Sequence, residues 1–566
     1  MDSNEIRKSF LDFFEKKGHK IVPSSPLLPT DPSVLFTTAG MQQFKPYYTG
    51  EKSPYGDNTA TCQKCIRTSD IGEVGNERHL TFFEMLGNFS FGGYFKREAI
   101  NLAKEFLDSV KIKIEYVTVF EGDSEVPKDL ETIGIWKELG FSEEKCNLHL
   151  CPKAENFWGP TGNEGPCGPT TEIYSGGIEI WNLVFNEYYC DKDKKLTKLE
   201  KSGVDTGMSL ERLAMVIQSK KSVFETDLFY PLIEEIEKES KLGYEDNPKM
   251  FRIIADHVRS AVFLAGEGII PSNIEQGYVL RRLLRRAIRY GKLLKMPKGF
   301  ILDLAKKAVK MNEDAYPELK EREKEITKII REEDRKFEKT LEKGIKELEA
   351  QIAENKSKVL SAKTVFDLYQ SYGFPLELTG ELAKEQGLEI DEEGFNKELE
   401  KHQEISRAGA QKKFGGVGKE ATYDAVKLHT ATHLLHQALR KVLGDSVRQM
   451  GSDINSERLR FDFSHSQKLT PEELKETEEI VNEKISEDLE VKMEEMEYRE
   501  AVKEGALAFF KQKYPKTVSV YSIGKFSKEI CAGPHVKRTS ELGKFKIKKE
   551  ESSSAGVRRI KAVLIK

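Results

Sequence analysis

The amino-acid sequence predicts an α+β protein of several domains, and three observations support this fold class. At 566 residues the chain is too long for one hydrophobic core, and typical domain sizes suggest three or four units. Short β-like runs separated by turn clusters dominate the beginning of the chain. Long charged helical patterns follow, and a second mixture of helix and strand closes the sequence.

Shifts in the sequence pattern predict four segments. Residues 1–235 carry β-like runs and turn clusters such as GNEGPCGP, which predict an α+β domain. Residues 236–406 predict a helical domain, because apolar residues recur at intervals of three and four through a long charged stretch. Residues 407–421 are rich in Gly, Lys and Ala and predict a linker, and residues 422–566 predict a second α+β domain.

The bulk composition is that of an ordinary globular chain. With 38% hydrophobic residues, 33% charged residues and a net charge of −4, the chain has no overall basic field, so a nucleic acid must meet a local patch. The amino terminus lacks the features of a secretory signal, and no apolar run is long enough to span a membrane. Seven scattered cysteines indicate reduced thiols. We therefore expect a cytoplasmic protein with no membrane partner.

A first candidate site lies in residues 67–92. Arg67 and Arg78 flank a turn that contains Gly and Asn, and the aromatic pair Phe82 and Phe83 follows. Arginines at two ends of a hairpin suit a phosphate and an aromatic ring suits a base, so the segment indicates nucleotide binding. Basic residues beside aromatic ones are also common on ordinary surfaces, and the segment by itself leaves that alternative open.

Residues 203–217, GVDTGMSLERLAMVI, form a second candidate site. A glycine-bearing turn leads into a predicted helix, Asp205 offers a carboxylate to an ammonium group, and Arg212 lies near the start of the helix. A tight turn followed by a capped helix explains the same pattern without a ligand. Neither a P-loop nor a GxGxxG motif occurs, so an ordinary NTPase or a Rossmann fold is not supported.

These segments belong to an ordered series of motifs that resembles the alanyl-tRNA synthetases, a family of class II aminoacyl-tRNA synthetases. CIRTSDIGEVG followed by RHLTFFEMLGNFSFGGYFK resembles the family's motif 2, and VDTGMSLER resembles its motif 3. The match continues through NFWGPTGNEGPCGP, EIWNLVF, PSNIEQGYVLRRLLRRAIRYG, YGFPLELT, HTATHLLH, GALAFF and AGVRRI. The resemblance covers most of the chain. It implies a catalytic domain built on an antiparallel sheet, a helical tRNA-recognition domain and an α+β editing domain.

By this resemblance, five residues would bind ATP or take part in catalysis. Arg67 would contact the α-phosphate and Arg212 the terminal phosphates, while Arg78 lies in the motif 2 loop. Phe82 or Phe83 would cover the adenine. Mg²⁺ would share with the arginines the neutralisation of charge on the phosphate oxygens.

The resemblance also implies an alanine pocket. Its residues would be Trp158, Asn182, Asp205 and Gly207. A desolvated Asp205 carboxylate that faces the ammonium group would determine which end of the substrate points at ATP. The expected partners are therefore ATP, L-alanine and the tRNA for alanine.

Two pairs of side chains in the last segment predict a metal site. His429 and His433 in HTATH are one helical turn apart, and Cys531 and His535 in CAGPH repeat the spacing on a Gly-Pro turn. Four nitrogen and sulfur ligands in two pairs predict zinc. We interpret His436, three residues beyond His433, as a residue of the helix surface.

The resemblance implies that the last domain hydrolyses mischarged tRNA. A pocket that admits a methyl side chain discriminates against glycine and serine by only roughly 1–3 kcal/mol each, so a second, hydrolytic pocket is needed. Thr432 and Gln449 match polar positions of the family's editing pocket, although a helix-surface threonine and a turn glutamine explain them equally. Four protein ligands would make the zinc structural, whereas a catalytic zinc needs an open position.

Candidate tRNA-binding residues are Asn273, Arg281, Arg285 and Gln370. The two arginines lie one helical turn apart and begin a row that suits a phosphate backbone, or else forms a solvated, ion-paired face. In the family, the position of Asn273 and an aspartate at the position of Gln370 help to recognise a G·U pair in the acceptor stem. Glutamine still offers an acceptor, but the departure puts strict recognition of that pair in question.

Two further departures from the family shape the prediction. The chain lacks the small β-barrel segment that usually precedes the editing domain, and it ends without the usual carboxyl-terminal domain, so we expect a shortened, monomeric enzyme. The leading hypothesis is ATP-dependent attachment of alanine to tRNA with hydrolytic editing. A regulatory RNA-binding protein with the same fold, and a zinc hydrolase that acts only on mischarged tRNA, are the alternatives. Intact Arg67, Asp205 and Arg212 favour the ligase.

Overall fold

The computed structural model describes residues 1–29, 31, 33–354, 357–401, 422–444, 447–465, 467–507, 517–531, 533–554 and 557–565. Contacts between residues divide the chain into two compact units, unit 1 (Met1–Glu392) and unit 2 (Glu393–Lys566). The predicted linker at 407–421 lies outside the described residues, and the predicted boundary at residue 236 falls inside unit 1 and stays a prediction. Within the described ranges, no helix combines the length and apolar character needed to cross a membrane.

Unit 1 has most of its strands before residue 210 and mostly helices after it. Its strands are β1 (Lys20–Ile21), β2 (Asn58–Ile66), β3 (Phe82–Ser90), β4 (Tyr116–Phe120), β5 (Leu148–Cys151), β6 (Phe157–Trp158), β7 (Gly165–Ser175), β8 (Ile178–Cys190), β9 (Leu196–Ser209), β10 (Val359–Leu360) and β11 (Glu389–Ile390). Its helices are α1 (Ser3–Lys16), α2 (Lys45–Tyr48), α3 (Lys96–Ser109), α4 (Leu130–Glu138), α5 (Lys153–Asn156), α6 (Leu210–Ile217), α7 (Tyr230–Ser240), α8 (Pro248–Gly266), α9 (Glu275–Leu293), α10 (Phe300–Asn312), α11 (Pro317–Glu321), α12 (Glu323–Glu354), α13 (Ala362–Asp367) and α14 (Leu376–Glu385). A π-helical turn, Leu368–Tyr372, lies between α13 and α14, and the helical residues 392–401 begin at the last residue of unit 1 and continue in unit 2.

A nine-stranded sheet forms the centre of unit 1. Its strand order is β1-β2-β3-β9-β8-β7-β4-β5, and β6 pairs with β7. All neighbouring strands are antiparallel except β1–β2 and β4–β5. Residues of β3 are buried along the whole strand, because helices pack on one side of the strand and the segment around Gly40 and Phe44 packs on Met85 and Phe89. The predicted α+β fold with an antiparallel sheet is confirmed.

An ion cluster with almost no solvent contact ties this sheet to the helices of unit 1. Arg259 of α8 donates to Glu211 of α6 at 2.8 Å and to Glu84 of β3 at 3.0 Å. Arg7 of α1 contacts Glu84 at 2.7 Å through two nitrogens, and the Tyr316 hydroxyl donates to it at 2.7 Å. Burial opposes the ionisation of Glu84, but the two arginines lower its pKa to about 2. The cluster therefore holds β3 and the start of α6 against α1 and α8.

The arginine row of α9 faces inward, not toward solvent. Arg285 Nε lies 2.7 Å from Glu333 of α12, and Arg289 lies 2.6 Å from Glu385 of α14. These two arginines are only 7% and 2% exposed, whereas Arg281 is partly exposed and also reaches Glu333, at 3.2 Å. The expectation that Arg285 meets an RNA phosphate backbone is therefore wrong, because α12 and α14 supply carboxylates that the helix pattern alone does not reveal.

Unit 2 packs helices against two small sheets. Its elements are α15 (Tyr423–Leu443), α16 (Pro471–Ser486), α17 (Tyr498–Lys503), β12 (Gln449–Ile454), β13 (Leu459–Ser464), β14 (Val491–Glu497), β15 (Thr517–Ile523), β16 (Ser527–Ile530), β17 (Lys544–Ser554) and β18 (Val557–Ile565). The antiparallel sheets have the orders β12-β13-β18-β17 and β14-β15-β16. Leu435 and Leu439 of α15 share a core with Phe461, Val481 and Phe545. Helix α15 is thus anchored by its apolar side.

Replacing Arg259 by methionine should destabilise unit 1 by about 3–5 kcal/mol, because two carboxylates would lose a partner in a dry interior. Urea unfolding, followed by a probe in unit 1, measures the change. The control is Arg97→Met, which removes an exposed pair with Glu138 and should change the unfolding midpoint little. Equal midpoints for the Arg259 variant and the parent protein would contradict the proposed role of the cluster.

Candidate functional site

A cavity of about 280 Å³ opens on one face of the central sheet of unit 1. Predicted residues that line it are Arg67, Arg78, Phe83, Trp158, Asn182, Asp205, Gly207 and Arg212. Successive residues of a strand point to opposite faces, so alternate positions of neighbouring strands share a wall. Asn182 of β8 stands opposite Gly207 of β9, and Val184 stands opposite Asp205. The strand register therefore brings together residues that are far apart in sequence.

The two candidate adenine-covering phenylalanines lie on opposite sides of β3. Phe83 lines the cavity, and the guanidinium carbon of Arg67 lies 5.0 Å above its ring. Phe82 is completely buried on the other face, where its ring stacks on Phe263 of α8 at 3.8 Å and Arg259 lies over it. Phe82 is therefore unavailable to a nucleotide, and of the two only Phe83 lines the cavity; its contact with the adenine stays a prediction.

The cationic side chains of the cavity differ in their partners. Arg67 and Arg78 form no ion pair within the part of the chain that the structure describes, and Arg78 is exposed. Arg212 of α6 donates to Glu179 of β8 at 2.7 Å. Unpaired arginines at a cavity wall attract a polyanion, and guanidinium groups suit phosphate oxygens. This wall of the cavity can bind the phosphates of a nucleotide.

Asp205 contributes a carboxyl group to the same cavity. This carboxylate is 5% exposed, and burial raises its pKa to about 7. Nearby in the lining, Trp158 Nε1 and Asn182 Oδ1 are buried and have no hydrogen-bond partner among the described residues. Buried polar atoms without partners are costly, so a donor and an acceptor left open at a cavity indicate a polar ligand. A small molecule that carries both an ammonium group and a hydrogen-bond acceptor satisfies all three groups.

Two carboxylates of the cavity, Glu172 and Glu179, are missing from the predicted site residues. Glu172 accepts from the Tyr174 hydroxyl at 2.8 Å and from Asn182 at 3.4 Å. Burial, and secondarily the charge of Glu179, raise the pKa of Glu172 to about 7. Glu179 opens the motif EIWNLVF, and that position is the signal that identifies it in the sequence.

Unit 2 brings the four predicted metal ligands together. One ligand atom from each of His429, His433, Cys531 and His535 lies within 4.8 Å of all the others. Cys531 Sγ lies 3.4 Å from His429 Nε2 and 3.5 Å from His535 Nε2. A tetrahedral zinc ion separates its nitrogen and sulfur ligands by about 3.5 Å. The donor set and its spacing fit zinc.

Two histidines of this cluster have a hydrogen-bond partner at Nδ1, and the third has none at that atom among the described residues. His429 Nδ1 lies 3.0 Å from the Pro534 carbonyl, and His535 Nδ1 lies 3.1 Å from the Thr430 hydroxyl. His433 Nδ1 is buried and has no hydrogen-bond partner among the described residues. Burial lowers the pKa of His429 to about 3, so its ring is neutral and able to bind a metal at pH 7. These contacts orient the rings around one point.

The turn between Cys531 and His535 needs a glycine. A Cβ atom on Gly533 would lie 2.3 Å from the His429 ring, which is too close for any side chain. The close approach lets the turn press against α15 and carry its two ligands to the histidines. Among the residues that the sequence analysis did not single out, Gly533 and Thr430 both support the cluster, and both lie inside the quoted motifs.

Three further predictions in unit 2 have different outcomes. His436 is not a surface residue: it is 5% exposed and contacts Glu529 at 3.0 Å, because position i+7 returns to the face of α15 that carries His429. Thr432 is buried, and its hydroxyl donates to the Leu428 carbonyl at 2.8 Å. Gln449 is half-buried and donates to Ser452 at 3.1 Å. The roles of Thr432 and Gln449 in an editing pocket stay predictions.

The remaining tRNA candidates lie on the surface of unit 1. Asn273 and Gln370 are exposed, and Asn273 accepts a hydrogen bond from Arg281. Gln370 lies in the π-helical turn, a deviation that is frequent at functional sites. Arg285 donates to the carbonyl of Gly373, directly after that turn. Arg285 therefore supports the segment that carries Gln370 instead of presenting its charge to solvent.

Comparisons with known proteins agree with this arrangement. A sequence model of the family described as tRNA synthetases class II (A) matches residues 5–442, and one described as Threonyl and Alanyl tRNA synthetase second additional domain matches residues 518–561. The alanine–tRNA ligase of Borreliella afzelii is 48% identical over 594 aligned residues, covering 100% of both chains. That of Treponema pallidum is 45% identical over 596, covering 100% of this chain and 98% of the relative.

Another relative is longer than this chain. The alanine–tRNA ligase of Thermotoga maritima is 40% identical over 701 aligned residues, covering 100% of this chain but 80% of that protein. The expected shortened form agrees with this difference, and the Borreliella relative shares it. With full coverage at up to 48% identity, and a class II model matched over most of its length, the chain belongs to the alanine–tRNA ligase family of class II tRNA synthetases.

Proposed function

We propose that this alanine–tRNA ligase works through an alanyl-adenylate and hydrolyses seryl- and glycyl-tRNA that it forms by mistake. The observation that carries the proposal is the cavity of unit 1, where unpaired arginines and one buried carboxylate line the same space. ATP, alanine and the tRNA for alanine are the proposed partners, and the cytoplasm is the proposed location. The Arg67 and Arg78 wall would take the phosphates, and Phe83 would take the adenine.

Activation in this cavity needs no protein nucleophile. A carboxylate oxygen of alanine attacks the α-phosphorus of ATP, the bond from that phosphorus to pyrophosphate breaks, and pyrophosphate leaves. The terminal ribose hydroxyl of tRNA then attacks the adenylate carbonyl, and AMP leaves as the hydroxyl proton is released. The chain's contribution is to align the reactants and to neutralise charge on the phosphate oxygens, through Arg67 at the α-phosphate and Arg212 at the terminal phosphates.

Asp205 gives the alanine its orientation. A carboxylate buried at the wall of the cavity attracts the ammonium group and turns the substrate carboxylate toward the phosphates. Trp158 and Asn182 would complete the pocket with the donor and acceptor that lack partners. Gly207 keeps the wall flat, since a Cβ there would lie 2.9 Å from Met85 Sδ.

Two metals are implied, and the residues present fit both. Glu172 and Glu179 offer the carboxylate oxygens that Mg²⁺ prefers, and Mg²⁺ bound with ATP would neutralise phosphate charge. His429, His433, Cys531 and His535 would hold zinc in unit 2. Four protein ligands fill a tetrahedral sphere, which is typical of zinc that holds a structure together.

Editing answers a limit of the alanine pocket. Because a methyl-sized pocket separates alanine from glycine or serine by only roughly 1–3 kcal/mol, wrong products accumulate unless a second site removes them. In unit 2, water would cleave the ester between the wrong amino acid and the terminal ribose, and release the amino acid and intact tRNA. Thr432 and Gln449 are the proposed polar contacts to the serine hydroxyl.

Exchange of pyrophosphate into ATP that depends on alanine tests the activity, and its pH dependence tests Asp205. The pKa of about 7 means that Asp205 is ionised above pH 7 and neutral below it. Since only the carboxylate attracts the ammonium group, the KM for alanine should rise about tenfold between pH 8 and pH 6. No exchange at any pH would favour the regulatory or hydrolase-only alternatives.

Glu172 is the necessary control for that profile, because its pKa is also raised to about 7. The pH dependence of the KM for alanine should persist in Glu172→Gln and disappear in Asp205→Asn, whose weaker binding is measured at higher alanine concentration. A profile that vanishes with Glu172→Gln instead would assign the titration to Glu172 on β7.

Cys531→Ala should slow the hydrolysis of purified seryl-tRNA for alanine at least about tenfold, because it removes one of four proposed metal ligands. Exchange of pyrophosphate should be unchanged, since the activation cavity lies wholly in unit 1. The matched control is Cys146→Ala, an exposed cysteine of unit 1. Equal hydrolysis rates in both variants would exclude the assignment of the cluster to editing.

Replacing the acceptor-stem G·U pair of the tRNA by G·C should lower the rate of charging at least about tenfold, which corresponds to the loss of one or two hydrogen bonds. Asn273 and Gln370 are the proposed contacts, and Asn273→Ala should lose most of the preference for G·U. Gln370→Asp is the matched variant. Charging that is indifferent to the pair in the parent protein but not in Gln370→Asp would show that glutamine has relaxed recognition.

A further inference from the structure

Behind the four-ligand cluster of unit 2 lies a buried polar group that no step above uses. Glu529 of β16 is 4% exposed, and its Oε1 lies 3.0 Å from His436 Nδ1 and 3.4 Å from the Ser527 hydroxyl. Its other oxygen, Oε2, lies 4.0 Å from Nε2 of His433, which is within ion-pair distance. A carboxylate only accepts hydrogen bonds, so His436 and Ser527 act as its donors.

The contacts of the three cluster histidines form a complete set once Glu529 is included. Nδ1 of His429 contacts a carbonyl, Nδ1 of His535 contacts a hydroxyl, and Nε2 of His433 lies within ion-pair distance of this carboxylate. The opposite nitrogen of His433, Nδ1, is the buried atom without a partner. Metal-binding histidines characteristically donate their second N–H to such an acceptor, which fixes the tautomer and the ring orientation.

Charge gives Glu529 a second role. Three neutral imidazoles and one thiolate around a divalent zinc leave a net charge of about +1 in a buried place. Such a charge is unfavourable in a dry interior unless an opposite charge lies close. Among the described residues, Glu529 is the carboxylate that the structure records in ion-pair contact with a cluster ligand.

We propose that Glu529 is a positioning residue for the metal cluster, held in place by His436 and Ser527. It orients the His433 ring, and its negative charge would balance that of the bound ion. This inference rests on the zinc site of the proposed function. It also explains why His436 is buried on the same face of α15 as His429 and His433. His436 contacts the carboxylate of Glu529 and is not a proposed metal ligand.

Zinc affinity of the full chain, measured by competition with a chromophoric chelator, tests the inference. Glu529→Gln keeps the size of the side chain but removes its charge, and it should lower zinc affinity about 10–100-fold. The visible absorption of the cobalt-substituted protein should also change, because the ligand field depends on the orientation of His433. Alanine-dependent exchange of pyrophosphate should remain at the parent level, which shows that unit 1 is intact.

The matched control is Glu494→Gln, an exposed glutamate of β14 in the same unit, which should leave zinc affinity and the cobalt spectrum unchanged. If Glu529→Gln fails to fold, a pair of His436 variants tests the inference instead. His436→Asn keeps a donor near the Nδ1 position and should retain most of the affinity, whereas His436→Leu should lose it.

The outcomes distinguish the role of Glu529 from the zinc site on which it depends. Zinc affinity and cobalt spectra that are equal in the parent, Glu529→Gln and His436→Leu would overturn the role of Glu529 and leave the zinc site standing. A parent protein that binds no zinc would overturn both. Loss of affinity in His436→Asn equal to that in His436→Leu would mean that the histidine acts through packing, and that outcome also counts against the inference.

Discussion

The structure of unit 1 depends on a guanidinium group that lies in a dry interior between two carboxylates. Arg259 of α8 bridges Glu84 on β3 and Glu211 on α6, and those two elements also carry Phe83 and Arg212 of the cavity. A buried ion pair contributes little net stability, but an arrangement in which one partner is missing is strongly destabilised, because a buried charge is left uncompensated. The cluster therefore favours one packing of the helices on the sheet. That packing determines the shape of the cavity.

The two candidate sites use opposite electrostatic strategies. In unit 1, Asp205 has no cationic partner and Arg67 has no carboxylate partner among the described residues, so the cavity offers a charge of each sign to a ligand. In unit 2 the cluster is nearly neutral by itself, because burial keeps its imidazoles uncharged. Its ring nitrogens are held by the Pro534 carbonyl and the Thr430 hydroxyl. The first arrangement suits charged substrates that bind and dissociate, and the second suits the metal ion proposed above.

Residues within short motifs were predictable, since the chemistry of a motif is local. The pairs in HTATH and CAGPH place four ligands at helical and turn spacing, and the structure brings those four together. Errors arose where burial was decided by distant segments. Phe82 and Phe83 are equivalent in the sequence, but only packing against Phe263 shows which side of β3 each one faces. Arg285 resembles an RNA-binding residue until the carboxylates of α12 are in place.

The sequence by itself determined the fold class, the family and the types of side chain in each site, because periodicity and motif order are properties of the chain. Tertiary structure decided which of those side chains face a cavity, which are neutralised and which lack a partner. Asp205 illustrates the division. Its identity is visible in VDTGMSLER, but its raised pKa exists only because strands from separate parts of unit 1 exclude water around it. Desolvation is a property of the packed molecule, and no local pattern encodes it.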